Sequence, residues 1–246
     1  MELEGDGYNP VISREGGKFR LYKKVIESFP DDYTDMIYVE PFVGGGSVFF
    51  NTEETKKKVI NDLDTQVISA YREVKKDASK LQRTINGHYT EEDFKKIKKA
   101  NPTTQFGKVV KYIVCQKLSY LGSGHSYSGK SNINVDLSYH HEVLKHTTIL
   151  NEDYKKVIEE YDSPETFFYL DPPYEGSDKS VKDYDNINLQ EMVDILSNIK
   201  GLFLVSINNS ANIRRMFNKF YITKVKTQYA LKPRPIVELL ISNYKR

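Results

Sequence analysis

The chain has 246 residues, 39% hydrophobic and 28% charged, enough for one α/β domain with a full core and a small inserted lobe. Its 18 Tyr and 12 Phe exclude a disordered polymer, and its one cysteine, Cys115, excludes an intramolecular disulfide and a Cys-based zinc site. A net charge of +2 says little alone, the opening MELEGDGYNP lacks the basic and apolar regions of a secretory signal, and no run reaches membrane-span length, so a reducing, intracellular protein, cytoplasmic or wherever its partner lies, is expected.

Taken in chain order, short apolar runs predict buried strands at 36–39, 59–60, 148–150, 167–170 and 202–205, with two later strands at 221–225 and 236–241. Helical spacing lies between them: Leu21, Val25 and Ile26; then Val67, Ile68, Tyr71, Val74, Ala78 and Leu81; later Met192, Val193, Leu196 and Ile199. Strands alternating with helices predict an α/β fold with a largely parallel sheet covered on both faces. Residues 81–145 break the alternation. Thr90 with Asp93 reads as a capping-box helix start, and Phe106, Val109, Val110, Ile113, Val114 and Leu118 form a helical face. The polar run 122–130 then reads as a loop or hairpin. The expected organisation is one α/β domain, 1–80 with 146–246, carrying an inserted helical lobe at 81–145.

The sharpest chemical signal is Asp171-Pro172-Pro173-Tyr174, directly after the apolar run 167–170. That position is the carboxyl end of a buried strand, where open α/β sheets place ligands. Two prolines fix two φ angles and remove two N–H donors, so nearby carbonyls can point at a ligand. One carboxylate, one carbonyl and one ring suit an amine on a flat ring. Asp171 and the Pro172 carbonyl can each accept an N–H of an adenine N6 amine, aiming its lone pair at a methyl donor while Tyr174 stacks on the purine. Such catalysis is orientation and electrostatics.

A second signal follows the first strand: Val39-Glu40-Pro41-Phe42-Val43-Gly44-Gly45-Gly46-Ser47. Consecutive glycines let backbone approach a ligand closely. The pattern is neither the dinucleotide GxGxxG nor a P-loop, so a nucleoside without a phosphate chain fits better. Asp62, after the strand at 59–60, is placed to hydrogen-bond ribose hydroxyls, with Asp64 a weaker candidate. From Lys219 to Arg246 seven basic residues stand against Glu238, which suits a polyanion or a solvated surface. His125 and the pair His140-His141 are expected in surface or hairpin roles, and no metal site is expected.

On these segments the chain resembles the Dam-like, D12 class of DNA adenine-N6 methyltransferases. The resemblance runs from Gly16-Gly17-Lys18-Phe19-Arg20-Leu21 through 40–52, Asn61-Asp62 and 171–174 to 204–208 and 237–241. It implies a Rossmann-like, S-adenosylmethionine-dependent methyltransferase fold: a mostly parallel seven-stranded sheet, an antiparallel C-terminal hairpin and an inserted DNA-recognition lobe. It implies S-adenosylmethionine as cofactor and double-stranded DNA as partner, with the base flipped out for reaction. Lys18, Phe42 and Gly44, Gly45 and Gly46 would wrap the donor, Asp62 its ribose, and Asp153 and Tyr154 its adenine. Asp171 would serve both donor and target amine. The lobe would read the target through a hairpin within 119–135, with Tyr127, Lys130 and Asn132 as DNA contacts. Lys117, Lys130, Lys224, Lys226 and Arg234 are candidate phosphate contacts. One departure stands out: the family often has an aromatic residue where this chain has Arg14, whose guanidinium can also stack on a ring. Cytosine-N4 and glutamine methyltransferases resemble Ser-Pro-Pro-Tyr and Asn-Pro-Pro-Tyr instead. An RNA adenine-N6 methyltransferase, or a DNA-binding protein retaining a weakened donor pocket, are the alternatives.

Overall fold

The computed structural model describes residues 7–13, 17–173, 187–227 and 236–245. In chain order the strands are β1 (Ile37–Glu40), β2 (Lys57–Asn61), β3 (Gly87–His88), β4 (Asn132–Ile133), β5 (Thr147–Leu150), β6 (Thr166–Leu170), β7 (Leu202–Asn208), β8 (Tyr221–Thr227) and β9 (Ile236–Ser242). The α-helices are α1 (Tyr22–Ile26), α2 (Thr65–Ile85), α3 (Glu91–Lys99), α4 (Gln105–Leu118), α5 (Ser138–Lys145), α6 (Tyr154–Tyr161), α7 (Leu189–Leu196) and α8 (Ala211–Met216).

Seven strands form one sheet in the order β5-β2-β1-β6-β7-β9-β8. β1 runs parallel to β2 on one side and β6 on the other, and β7 runs parallel to β6. β9 returns antiparallel between β7 and β8. This is the mostly parallel seven-stranded sheet with an antiparallel C-terminal hairpin expected from sequence. Covering both faces requires the largely apolar runs of β1, β6 and β7. The two-residue period of a strand sends alternate side chains to opposite faces. Val39, Phe168, Leu170 and Val205 join Val157 and Ile158 of α6, Met192, Val193 and Leu196 of α7, and Ile213 of α8 in one cluster. Tyr38, Phe167 and Tyr169 take the other face. There the Phe29 ring lies 4.7 Å from Phe167 and 5.8 Å from Tyr169, centroid to centroid.

Two compact units divide the chain: Met1–Phe19, Gly44–Asn51 and Asp64–Ile149 in one, Arg20–Val43, Thr52–Leu63 and Leu150–Arg246 in the other. In the first, α2 is the spine, burying Val67, Ile68, Tyr71, Val74, Ala78, Leu81 and Ile85 and packing against α4 and α5. Asp77 breaks that helix (φ −159°, ψ 80°), and its carboxylate then accepts the Lys80 N–H at 2.9 Å, recapping the second half. The capping box of α3 is present as read from sequence, with Asp93 N–H donating to Thr90 Oγ1 and Thr90 N–H to Asp93 Oδ2.

Two expectations need correction. The hairpin expected within 119–135 is a single Ser119–Tyr127 bridge, and β4 pairs instead with β3. Leu121, Gly122, Gly124 and Gly129 adopt φ of 55°, 71°, 73° and 81°, which turns the chain out of extended geometry. His140 and His141 lie on α5, not in a hairpin. His140 is buried with Nε2 2.8 Å from Asn9 O, and His141 Nδ1 lies 2.9 Å from Val74 O.

Candidate active site

Strand order reverses between β1 and β6: the chain builds outward to β2 and β5, then returns to the opposite side of β1. Open α/β sheets bind ligands at the carboxyl ends of strands at such a reversal. Glu40 ends β1, Asp62 follows β2 and Asp171 follows β6. Ser206 lies in β7, one residue beyond the Leu170–Val205 pair. All four belong to the same compact unit.

A hydrogen bond ties the ends of β6 and β7 together. Ser206 Oγ donates to Asp171 Oδ1 at 3.0 Å, and the buried Tyr169 hydroxyl lies 2.8 Å from Ser206 Oγ. The Tyr38 hydroxyl donates to Glu40. Burial pushes the Glu40 carboxyl from 4.5 up to about 8; the Tyr38 bond opposes this, the Asp171 charge adds to it, and Lys58 opposes it. Glu40 therefore keeps its proton at neutral pH, which spares Asp171 a neighbouring negative charge. Burial also drives the Tyr169 phenol well above its ordinary range, with the Asp171 charge adding, so it remains a donor. Pro172 is buried and Pro173 half-buried behind Asp171. Tyr174 lies outside the described residues, as do Arg14 and Arg234.

A nucleoside donor needs a close backbone approach, an acid for its ribose and a flat wall. In the unit holding Gly44–Asn51, a Cβ on Gly45 would sit 2.7 Å from Ile12 O, and one on Gly46 would sit 2.6 Å from the Phe50 ring. Gly44 and Gly46 also take φ of 48° and 75°. The Tyr71 hydroxyl donates to Gly44 O at 2.7 Å and fixes the loop. Lys18 is buried in a 3-10 turn of the same unit. In the other unit Asp62 is only 4% exposed. Asp64, the weaker candidate, is used as the N-cap of α2, accepting Gln66 N–H at 2.9 Å. Phe42 and Tyr154 pack with centroids 5.2 Å apart. The Tyr154 hydroxyl is buried without a hydrogen-bond partner among the described residues, and burial lifts its pKa to about 12. Asp153 caps α6 by accepting Lys155 N–H at 2.9 Å. Within this second unit, a buried acid and an orphaned hydroxyl beside an aromatic pair fit the adenosine part of S-adenosylmethionine.

The residues expected at DNA fall into two groups. Lys117 is half-buried and its ammonium donates to Pro10 O at 2.9 Å; burial, then the Lys130 charge, pull its pKa down to about 8. The Tyr127 hydroxyl donates to Tyr89 O at 3.3 Å, and its ring lies 5.7 Å from Phe94. Lys130 and Asn132 are exposed, with Asn132 Oδ1 3.0 Å from His88 Nδ1. Lys224 and Lys226 stand exposed on edge strand β8, where lysines also discourage edge-to-edge pairing.

Sequence reasoning passed over Ser206, Tyr169 and the buried pair Tyr38–Glu40 as functional groups. It also passed over Asn61, which donates to Pro41 O at 3.0 Å and Glu152 O at 2.9 Å and accepts Glu152 N–H at 2.8 Å. Asn61 thereby staples the loop after β1 to the loop before α6. The available signal was a hydroxyl or amide interrupting an apolar strand. Among the described residues no His, Cys, Asp or Glu cluster could hold a metal, and no helix is long and apolar enough to cross a membrane.

Comparison with known proteins adds a family. Residues 15–135 and 130–231 match the D12 class N6 adenine-specific DNA methyltransferase family. The chain is 26% identical to the type II methyltransferase M.MjaIII of Methanocaldococcus jannaschii, over 96% of this chain and 99% of that protein. It is 22% identical to the type II methyltransferase M.CviBI of Paramecium bursaria Chlorella virus NC1A, covering 91% and 92%. It is 21% identical to the DNA adenine methylase of Haemophilus influenzae, covering 93% and 89%.

Proposed function

The chain belongs to the D12 class of N6 adenine-specific DNA methyltransferases, and on that premise we propose that it extrudes one adenine from duplex DNA and holds its N6 amine against Asp171 for methyl transfer. The carrying observation is Asp171 at the carboxyl end of β6, at the strand-order reversal, with its carboxylate engaged by Ser206. S-adenosylmethionine, the methyl donor of this enzyme class, supplies an electrophilic methyl on a sulfonium.

The N6 lone pair is delocalised into the purine and is a weak nucleophile. Asp171 and the Pro172 carbonyl each accept one N6–H, which draws the nitrogen toward tetrahedral geometry and turns its lone pair outward. The Asp171 carboxylate stabilises the positive charge that develops on nitrogen as the bond forms. The prolines hold both acceptors still, so no reorganisation is needed during reaction. Tyr174 stacks on the extruded ring. Asp62 takes the donor's ribose hydroxyls, and Phe42, Asp153 and Tyr154 border its adenine. The loop Gly44–Gly46, Lys18 and Arg14 are assigned to the same donor on sequence alone. Extruding a base costs a few kcal/mol. Phosphate contacts from Lys130, Lys224, Lys226 and Arg234 offset it, and Asn132 contacts the target. Lys117 and Tyr127 support the lobe from within.

The test is Asp171→Ala assayed on a duplex carrying 2-aminopurine at the target position. The expected result is a folded protein that binds donor, brightens the probe on DNA binding and transfers no methyl. A fully active Asp171→Ala protein, or a probe that stays quenched with the wild type, refutes the reading.

A further inference from the structure

We propose that Ser206 and Tyr169 form a hydrogen-bonded strut whose role is to position the Asp171 carboxylate for the target amine; this rests on the reading of Asp171 given above. Proton counting fixes the direction of the chain. A carboxylate only accepts, so the single Ser206 hydroxyl hydrogen is spent on Asp171 Oδ1. The Tyr169 contact to Ser206 Oγ must then run from the phenol to the serine. Donation from Tyr169 polarises the serine hydroxyl and strengthens its bond to Asp171.

The strut is rigid and out of place for a core. Tyr169 is 2% exposed and Ser206 0%. Both interrupt apolar strands, Thr166–Leu170 and Leu202–Asn208, whose other buried positions are filled by Phe, Leu, Val and Ile apart from Thr166. Two buried hydroxyls cost stability unless each finds a partner, and a Phe–Ala pair would fill the space without that demand. Tyr169 and Asp171 sit two residues apart and so share a face of β6. The strand register brings Ser206 of β7 level with Asp171. Phe29, 5.8 Å away, backs the Tyr169 ring. The carboxylate is therefore constrained from the sheet interior.

Neither residue touches the amine; both are positioning residues. Other ionisable groups bearing on this cluster are Glu40 and Tyr38 from β1 and Glu238 from β9, with Lys58 of β2 acting on Glu40. The test measures kcat, KM and the pH dependence of kcat for Ser206→Ala, Tyr169→Phe, the double variant and Asp171→Ala. Misorientation of the acceptor should lower kcat roughly 10- to 100-fold in Ser206→Ala, with less than a twofold change in KM. Tyr169→Phe removes one oxygen and should give a smaller loss in kcat. Tyr169 acts only through Ser206, so Tyr169→Phe should have no further effect in the Ser206→Ala background. Loss of a donor to the carboxylate should also move the acidic limb of kcat to higher pH. A purely structural pair would lower thermal stability while leaving that limb in place. Inactive Asp171→Ala beside single variants with wild-type kcat and an unmoved limb overturns the strut alone. Active Asp171→Ala overturns the reading beneath it and the strut together. Equal Tyr169→Phe effects in both backgrounds also overturn the strut, and Tyr169→Phe by itself decides the matter if Ser206→Ala fails to fold.

Discussion

Replacing Glu40 by Gln should make the protein more stable relative to wild type as pH rises. The Glu40 carboxyl titrates at about 8 in the folded protein, against 4.5 ordinarily, chiefly because it is buried at the end of β1. The unfolded chain releases this proton near pH 4.5 and the folded chain keeps it until about 8. Between these values the native state binds more protons than the unfolded state. Its stability is therefore full below 4.5 and falls as pH rises toward the folded value. The slope is at most about 1.4 kcal/mol per pH unit. Over the whole interval the loss is on the order of 5 kcal/mol. Glutamine mimics the neutral acid: its amide oxygen still accepts the Tyr38 hydroxyl, and it does not titrate. Urea unfolding of both proteins at pH 5, 6, 7, 8 and 9 gives the difference curve, from which the titrations of groups not coupled to Glu40 cancel. It should climb in favour of Glu40→Gln up to about pH 8 and then flatten. A difference curve that is flat across this range would show that Glu40 is ionised throughout, and the account of the strand ends would be wrong.

Gly46→Ala should destabilise the fold more than Gly44→Ala, because both leave a left-handed φ worth about 1–2 kcal/mol but only Gly46 also drives a methyl into the Phe50 ring; thermal unfolding ranks them, and equal shifts count against the cradle. Asp153→Asn preserves the cap of α6 while removing the charge, so if the carboxylate reads the donor's adenosine, calorimetry will show weaker S-adenosylmethionine binding with an unchanged melting temperature. Unchanged affinity would leave Asp153 as a helix cap only. Lys130→Ala and Lys224→Ala should each reduce the slope of log K against log salt by about 1 on duplex DNA. Lys117→Met, whose parent ammonium is held by Pro10 O, should leave that slope unchanged and lower stability instead; a slope change there would return Lys117 to the phosphate contacts.

The central strands of the main sheet were legible because each is a short, largely apolar run buried on both faces, as in Thr166–Leu170, whereas β8, largely exposed at the sheet edge, carries a weaker signal. α3 was legible from Thr90 and Asp93, since a capping box is a purely local device. α5 was not, because His140 looks polar in sequence and becomes a core residue only through Asn9. The hairpin within 119–135 misled for a similar reason: Asn132–Ile133 has too few residues to declare its partner, which lies at Gly87–His88. At the site, Asp171 and the glycines announce themselves through motifs. Ser206 does not, because its importance arises from the β6–β7 register, a long-range property. Asp62 was preferred over Asp64 on spacing, and the capping role of Asp64 supplies the physical reason.

The most direct measurement incubates the wild-type protein with methyl-tritiated S-adenosylmethionine and duplex DNA, digests the product to nucleosides and separates them. The account predicts that the label co-migrates with N6-methyldeoxyadenosine and disappears with Asp171→Ala. Label on deoxycytidine, on RNA alone or on protein, or none on any base, would contradict it.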